Sequence, residues 1–254
     1  MKYLDQTLSV FMIGKLQSAA GAADSQQKRW IRLYFDVETP REKSDDAFLN
    51  EKVIAIGVIA DRSEYSEESL SERCEPGLAS AKCEVRLFTE WELASEEAVI
   101  KKFYKYVEGI RRENNIMFVG FGVLRFDIPL LIQKAVEYEG VDKLAKYNKF
   151  WHDVYVIDIF QALLPLNGMR FKGLKLATLA GRLKEIDKNA PEAHGEGSKI
   201  YDLYKERKYS EIEEHLKADL RIVRYFDLAI LSKFWNKEEE RKRLFKAFGL
   251  NRAI

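Results

Sequence analysis

Several features that mark secreted, membrane and disulfide-rich proteins are scarce or absent in this sequence. Its 254 residues include two cysteines, Cys74 and Cys83, too few for a disulfide scaffold and without the second pair that a four-ligand zinc site needs. No apolar run approaches the ~18 residues of a membrane span, and the apolar stretch 8–13 is too short and wrongly flanked for a signal peptide. We therefore expect a soluble, cytoplasmic protein with no membrane partner.

A strong excess of one charge is also missing. Lys and Arg number 42 against 41 Asp and Glu, which gives a net charge of +1, so no overwhelmingly basic surface indicates a nucleic-acid partner. Hydrophobic residues make up 46% of the chain and aromatic residues 12%. This composition is enough for one large core and argues against global disorder.

The chain divides into a body and two terminal segments. Residues 1–28 end in the small and polar run GAADSQQK, so we interpret 1–29 as an N-terminal extension. The body is predicted to span 30–232. Residues 241–254 hold five bases and no acid, interleaved with apolar side chains. The C-terminal segment 233–254 is therefore either a basic amphipathic helix packed on the body or a tail that contacts DNA or a replication or repair protein.

Strand and helix patterns alternate along the body. Strands are predicted at WIRLYFDVET, VIAIGVIAD, CEVRLFTEW and NIMFVGFG, which are rich in β-branched and aromatic residues. Apolar spacing predicts helices over 95–114, after Pro129, over 170–184 and over 209–235, with VYVIDIFQALL as a short strand or helix start. The acidic segment 61–97 is interpreted as an exposed insertion. This order predicts an α/β fold, a mixed sheet flanked by helices.

Carboxylates stand out in three of these segments. Asp36 and Glu38 lie two apart in a strand and so share one face; they are either solvated acids at a strand end or a buried pair that needs a divalent cation between them. Asp127, at a strand–helix junction, could face a metal or cap the helix. His215 and Asp219 share a helical face, although this spacing alone is more typical of surface pairs.

Taken together, LYFDVET, VGFGVLRFDIPLL and HLKAD resemble the three exonuclease motifs of the DEDD superfamily. The similarity is closest to the proofreading exonuclease domain of B-family DNA polymerases and extends, in family order, over residues 30–230. VIDIFQALL and GLKLATLAGRL also resemble the family segment between the second and third motifs. The resemblance implies an RNase H-like (DnaQ-like) fold and 3′–5′ exonuclease activity.

The resemblance also implies a metal site. Asp36, Glu38, Asp127 and Asp219 correspond to the four carboxylates that bind two Mg²⁺ or Mn²⁺ ions. Asp36 would bridge both ions, Glu38 and Asp219 would complete the nucleophile-side ion, and Asp127 would serve the second. In such a site one ion activates the attacking water and the other stabilises the leaving 3′ oxygen.

Two positions depart from the polymerase pattern. His215 stands where the polymerase branch carries a Tyr, four residues before the last Asp, while Glu214 occupies the position at which another branch has its His. Because a histidine accepts a proton at neutral pH more readily than a tyrosine, we expect His215 to orient or deprotonate the attacking water. Gly122 replaces an Asn of the relatives, which weakens the case for one substrate contact and leaves the metal ligands unaffected.

Basic residues offer a surface for the nucleic acid. Residues 159–184 contain no acid and five bases, among them Arg170, Lys172 and Lys175, beside Phe171. This composition fits a surface that holds a single strand, and equally a solvated helix face with one buried aromatic.

Two residues beside the motifs are predicted to touch the terminal nucleotide. They are Thr39 and Phe126, although Phe126 fits a core position as well. His152 and His194 receive no ligand role. His194 lies in the glycine-rich loop APEAHGEGSK, which is predicted to lie near the third motif.

The sequence therefore predicts a metal-dependent 3′–5′ exonuclease that hydrolyses single-stranded DNA ends, with a role in DNA repair or proofreading. Two alternatives stay open: a catalytically degenerate nucleic-acid-binding module of a replication or repair complex, and a 3′–5′ exoribonuclease. Four retained acids argue against a pure binder, since clustered negative charges repel phosphate.

Overall fold

A mixed β-sheet runs through the part of the chain that the computed structural model describes, residues 28–41, 51–62, 75–76 and 83–231. Of the predicted N-terminal extension only residues 28 and 29 are described, and Arg29 already begins the first strand. The predicted basic segment 233–254 lies outside the described residues, as does the end of the predicted helix 209–235.

The strands are β1 (Arg29–Glu38), β2 (Ala55–Asp61), β3 (Glu75–Pro76), β4 (Cys83–Thr89), β5 (Asn114–Gly120) and β6 (Tyr155–Asp158). The helices are α1 (Glu90–Leu93), α2 (Glu96–Glu113), α3 (Asp127–Glu139), α4 (Leu144–His152), α5 (Ile159–Leu163), α6 (Leu176–Ile186), α7 (Ile200–Lys205) and α8 (Tyr209–Tyr225). A π-helical turn, Phe226–Leu231, continues α8.

The sheet has the strand order β3-β4-β2-β1-β5-β6. Strands β1, β2 and β4 pair antiparallel, whereas β1, β5 and β6 run parallel. The carboxyl ends of β1, β5 and β6 consequently meet at one edge, which we call the carboxyl edge. Side chains at a shared carboxyl edge of parallel strands are a common place for a site in α/β folds.

Helices cover both faces of the sheet. On one face Phe35, Val37 and Phe118 pack with Phe103 of α2 and Trp151 of α4. The other face carries a second core, formed by Tyr34 and Ile59 of the sheet with Leu179 of α6 and with Leu216 and Leu220 of α8. Neighbouring residues of β1 therefore point into different cores, as the period of two in a strand requires.

Local sequence signals explain where several helices begin. Ser95 caps α2 by accepting a hydrogen bond from Ala98 N at 3.2 Å, with Glu96 and Glu97 in the first turn and Arg111 and Arg112 in the last. Acids at the start and bases at the end of a helix interact favourably with its dipole and stabilise it. Pro129 lies in the first turn of α3, where its missing N–H costs nothing.

Two predictions about these elements are wrong in part. The helix predicted over 170–184 begins only at Leu176, because Gly168 and Gly173 adopt positive φ angles of 60° and 89° and form a turn. The acidic segment 61–97 is not exposed throughout: Asp61 is 1% exposed and accepts a hydrogen bond from Arg224 Nε at 2.7 Å. Strand β4 in the same segment is largely buried.

Two further observations concern membrane-spanning helices and cysteine pairing among the described residues. None of the described helices is long and apolar enough to cross a membrane. Cys83 takes part in a disulfide bond, at the start of β4.

Candidate metal centre

Strand β1 places two acids together at the carboxyl edge. Asp36 and Glu38 lie on the face opposite Val37, whose side chain belongs to the first core. Glu38 is 7% exposed, and Asp36 is half-buried. Both carboxylates lie on one face of β1, with Glu38 buried and Asp36 partly open to solvent.

Helix α8 brings the third predicted motif to these acids. Nε2 of His215 lies 3.6 Å from Oε1 of Glu38 and 3.6 Å from Oδ2 of Asp219. The helix reaches β1 because Leu216 and Leu220, on the same side as His215, pack into the second core. Residues four apart on a helix share a face, so His215 and Asp219 face the sheet together.

Asp127 joins the site from the start of α3. Its Oδ1 accepts a hydrogen bond from the backbone N–H of Val37 at 3.0 Å, between the two acids of β1. Asp127 is 4% exposed. The residue before it, Phe126, occupies the N-cap position, so the helix-cap interpretation of Asp127 is wrong. We call Asp36, Glu38, Asp127 and Asp219 the carboxylate cluster.

The electrostatics of the carboxylate cluster are those of excess negative charge. Burial and the charge of Asp219 raise the pKa of Asp36 to about 8, and burial raises the pKa of Asp219 to about 7. Burial, followed by the charges of Asp36, Asp219 and Asp127, raises the pKa of Glu38 well above its usual range. Burial and Asp36 do the same for the pKa of Asp127. The cluster therefore favours protons or cations as partners.

The carboxylate cluster has the ligand types that divalent metal ions prefer, but its side chains are not yet arranged around an ion position. Four carboxylates supply the oxygen ligands and the charge that Mg²⁺ and Mn²⁺ prefer. Among the described residues, however, no group of three or more His, Cys, Asp or Glu side chains stands in an arrangement that would hold an ion as it is.

The loop that contains His194 orients the His215 ring, although no residue of this loop was predicted to be a ligand. Nδ1 of His215 is hydrogen-bonded to the carbonyl oxygen of His194. Because a carbonyl only accepts, Nδ1 carries a proton, and Nε2 is the ring nitrogen that faces the carboxylates. Carbon atoms added at Gly195 and Gly197 would lie 3.8 and 3.9 Å from the ring nitrogens, so the loop lies directly against the imidazole.

Asp158, which sequence reasoning did not assign to the site, organises the loop between β5 and Asp127. Its carboxylate accepts hydrogen bonds from the N–H groups of Gly122 at 2.8 Å, Leu124 at 3.0 Å and Gln161 at 3.3 Å. Gly122 has φ 78°, a left-handed conformation that Gly and Asn adopt most readily. An aspartate between a strand and a helix is the sequence signal that could have indicated such a role.

The predicted substrate-binding residues lie in two places. Thr39 directly follows β1, and Phe126 is half-buried against the first core with the Arg41 guanidinium 5.2 Å from its ring centroid. The three predicted bases, Arg170, Lys172 and Lys175, are exposed in the turn before α6.

A cavity of about 260 Å³ lies at the opposite edge of the sheet, away from the carboxylate cluster. Its walls include Trp30, Asn115 and Tyr155, at or near the beginnings of β1, β5 and β6. The carboxylate cluster is therefore not part of this cavity.

Comparison with known proteins bears on the fold. No family model matches the chain, and no curated protein matches it. Among solved structures, the chain is similar to the family B DNA polymerase from the hyperthermophilic archaeon Pyrobaculum calidifontis, with a TM-score of 0.53 and 16% sequence identity. The similarity covers 84% of this chain and 26% of the polymerase, so the chain corresponds to about a quarter of that protein. The predicted α/β fold, an RNase H-like mixed sheet flanked by helices, is confirmed.

Proposed function

We propose that this chain is a divalent-metal-dependent 3′–5′ exonuclease that hydrolyses single-stranded DNA ends. The observation that supports this most strongly is the convergence of His215 and the carboxylate cluster at one sheet edge from three segments far apart in sequence. The contacts from Val37 to Asp127 and from His215 to Glu38 connect these segments directly. A fold shared with part of a DNA polymerase agrees with a nucleic-acid substrate and with a role in DNA repair or proofreading.

Each residue of the site has a role in this proposal. The carboxylate cluster would hold two Mg²⁺ or Mn²⁺ ions, which would polarise the scissile phosphate and stabilise the leaving 3′ oxygen. Nε2 of His215 accepts a proton from the attacking water, since Nδ1 already donates to His194. Thr39 and Phe126 touch the terminal nucleotide. The exposed bases Arg170, Lys172 and Lys175 bind phosphates of the strand.

Two observations favour a second candidate, a nucleic-acid-binding module without hydrolysis. The described acids do not stand in a ready three-ligand arrangement, and His215 departs from the Tyr of the polymerase pattern. The raised pKa values of Asp36 and Asp219 favour the enzyme, because a site that binds only phosphate has no use for buried, mutually repelling acids.

The deciding experiment is a degradation assay on single-stranded, duplex and mismatched DNA, and on RNA of the same sequence, each labelled at one end. We expect stepwise shortening of 5′-labelled single-stranded DNA with Mg²⁺ or Mn²⁺ and none with a chelator. Asp36→Asn should abolish the reaction. Asp202→Asn, which changes an exposed acid on α7, should leave it intact and is the matched control.

The same assay separates the alternatives. Activity that survives in Asp36→Asn contradicts the metal assignment. Shortening of RNA in preference to DNA would establish an exoribonuclease, and binding of either strand with no hydrolysis in any metal would establish the binding module.

A further inference from the structure

The most exposed aromatic ring near the carboxyl edge belongs to a compact group of three side chains. Phe171 is 56% exposed, whereas Phe160 beneath it is 5% exposed; the two rings stack with centroids 5.7 Å apart and planes inclined by 27°. The guanidinium of Arg125 lies 4.9 Å from the Phe171 centroid and 5.0 Å from the Phe160 centroid. Each member contacts the other two, so Phe171 is supported from one side and open on the other. We call Arg125, Phe160 and Phe171 the aromatic platform.

The turn that carries Phe171 is fixed by its own hydrogen bonds. The side-chain amide of Asn167 donates to the carbonyl oxygens of Arg170 and Lys172, to the latter at 3.1 Å. Gly168 and Gly173 supply the positive φ angles that the turn needs. Phe171 is thereby presented between two exposed cations with little conformational freedom left to lose on binding.

The aromatic platform lies at the same edge as the carboxylate cluster. Arg125 precedes Asp127 by two residues in the loop that Asp158 holds. Phe160 lies in the first turn of α5, and Asp158 also accepts a hydrogen bond from the backbone N–H of Gln161 in that turn. One buried carboxylate therefore sets the position of both the platform and the approach to the proposed metal ligands.

The chemistry of this surface suits a nucleobase with its phosphate. A flat, open aromatic face binds bases by stacking, and every base offers such a face. Arg170, Lys172 and Lys175 surround it with positive charge, and residues 159–184 contain no acid to offset them. An anionic strand with exposed bases matches both properties, whereas duplex DNA keeps its bases stacked inside the helix.

We propose that the open face of Phe171, supported by Arg125 and Phe160, stacks on an unpaired base of a single-stranded nucleic acid whose end enters the carboxylate cluster. This inference rests on the proposed function and extends it, because it names Phe171 as the side chain that recognises the unpaired bases of a single strand. It assigns a binding role to Phe171 and a supporting role to Arg125.

The test measures binding by the full chain, in the presence of a chelator, to a fluorescent oligothymidylate of about twelve nucleotides and to an abasic strand of equal length. Phe171→Ala should weaken binding of the oligothymidylate about fivefold to a hundredfold, the range found for loss of one stacked base. Binding of the abasic strand should stay unchanged, and Phe171→Trp should retain the wild-type preference. Tyr155→Ala removes an aromatic ring of similar exposure, 53%, at the opposite edge and should change neither affinity.

Three results would overturn the inference: equal binding of both strands by the wild type, an unchanged oligothymidylate affinity in Phe171→Ala, or an equal loss on both strands. The hydrolysis assay is read separately. Base-dependent binding through Phe171 without any hydrolysis would overturn the proposed exonuclease and leave the stacking site supported. Hydrolysis by the wild type, together with unchanged oligothymidylate binding in Phe171→Ala, would overturn the stacking site and leave the exonuclease supported.

Discussion

Nε2 of His215 lies 3.6 Å from Oε1 of Glu38, so helix α8 and strand β1 meet through two buried polar side chains. His215 is 6% exposed and Glu38 is 7% exposed. In the proposed exonuclease, this arrangement would let a water bound beside Glu38 pass its proton to His215.

Replacement of His215 should therefore affect the reaction far more than binding. We expect His215→Ala to lower kcat about 100-fold or more, the usual contribution of a positioned base, with oligonucleotide affinity nearly unchanged. The matched control is Glu214→Ala, an exposed neighbour on the same helix, which should retain full activity. A wild-type rate and pH–rate profile in His215→Ala would remove the base role.

The raised pKa values of the acids predict how the metal-free protein responds to pH. Asp36 has a pKa of about 8 and Asp219 of about 7, whereas an unfolded Asp titrates near ~3.9. Between these limits the folded state binds more protons than the unfolded state, so stability falls as pH rises. The slope is about 1.4 kcal/mol per pH unit for each extra proton.

Urea unfolding in a chelator between pH 5 and pH 9 measures this slope. The free energy of unfolding should decrease up to about pH 8 and then level off. Asp36→Asn should reduce the slope and be more stable than the wild type at pH 8. A wild-type stability that increases over this range would contradict the assigned burial of the acids.

Divalent ions should restore the stability that the metal-free protein loses as the pH rises. Binding to the folded state alone stabilises it by about 2.7 kcal/mol at a concentration 100 times the Kd, so Mn²⁺ should raise the Tm, and more at pH 8 than at pH 6, where protons compete. Asp36→Asn should lose most of this increase, and Asp202→Asn should keep it. An equal increase in both variants would place the ion elsewhere.

The sequence predicts those parts of the site that follow from local periodicity. Asp36 and Glu38 share a face because a strand alternates, and His215 and Asp219 share one because a helix repeats. The pairing of Gly57 with Asp36 depends on contacts between distant segments, and no local pattern encodes such a contact. The early start predicted for α6 failed for a local reason, because Gly168, Gly173 and the side-chain hydrogen bonds of Asn167 form a turn that apolar spacing does not indicate.

Loss of Asp158 should disturb the approach to Asp127. Its carboxylate accepts three backbone hydrogen bonds, from Gly122, Leu124 and Gln161, and is 5% exposed. We expect Asp158→Ala to cost about 1.5–3 kcal/mol, the range for hydrogen bonds to a charged group. It should also lower kcat, because the loop 122–126 loses its anchor.

Asp158→Asn provides the graded comparison. The amide keeps one acceptor oxygen, so the loss of stability and rate should fall between those of the wild type and Asp158→Ala. Thermal unfolding and the hydrolysis assay measure both. A fully active, fully stable Asp158→Ala would show that the loop holds its position without this carboxylate.

Gly57 determines how closely helix α8 approaches the sheet. It pairs with Asp36 across β1 and β2, and a Cβ atom at this position would lie 2.7 Å from Cδ1 of Leu220 and 2.8 Å from Cγ of Leu216. Both distances are shorter than side-chain contacts allow, so Gly57→Ala must shift these two leucine side chains, and we expect the helix that carries His215 and Asp219 to move with them. Overpacking of a core typically costs about 1–3 kcal/mol.

We therefore expect Gly57→Ala to lower the free energy of unfolding by this amount and to reduce both kcat and the stabilisation by Mn²⁺. Gly109→Ala is the matched control, because Gly109 lies on α2 with open space around it. In that helix the same substitution should increase stability by about 0.5–1 kcal/mol. If Gly57→Ala kept wild-type metal binding and rate despite lower stability, close approach of α8 to Asp36 would be a packing feature with no part in the site.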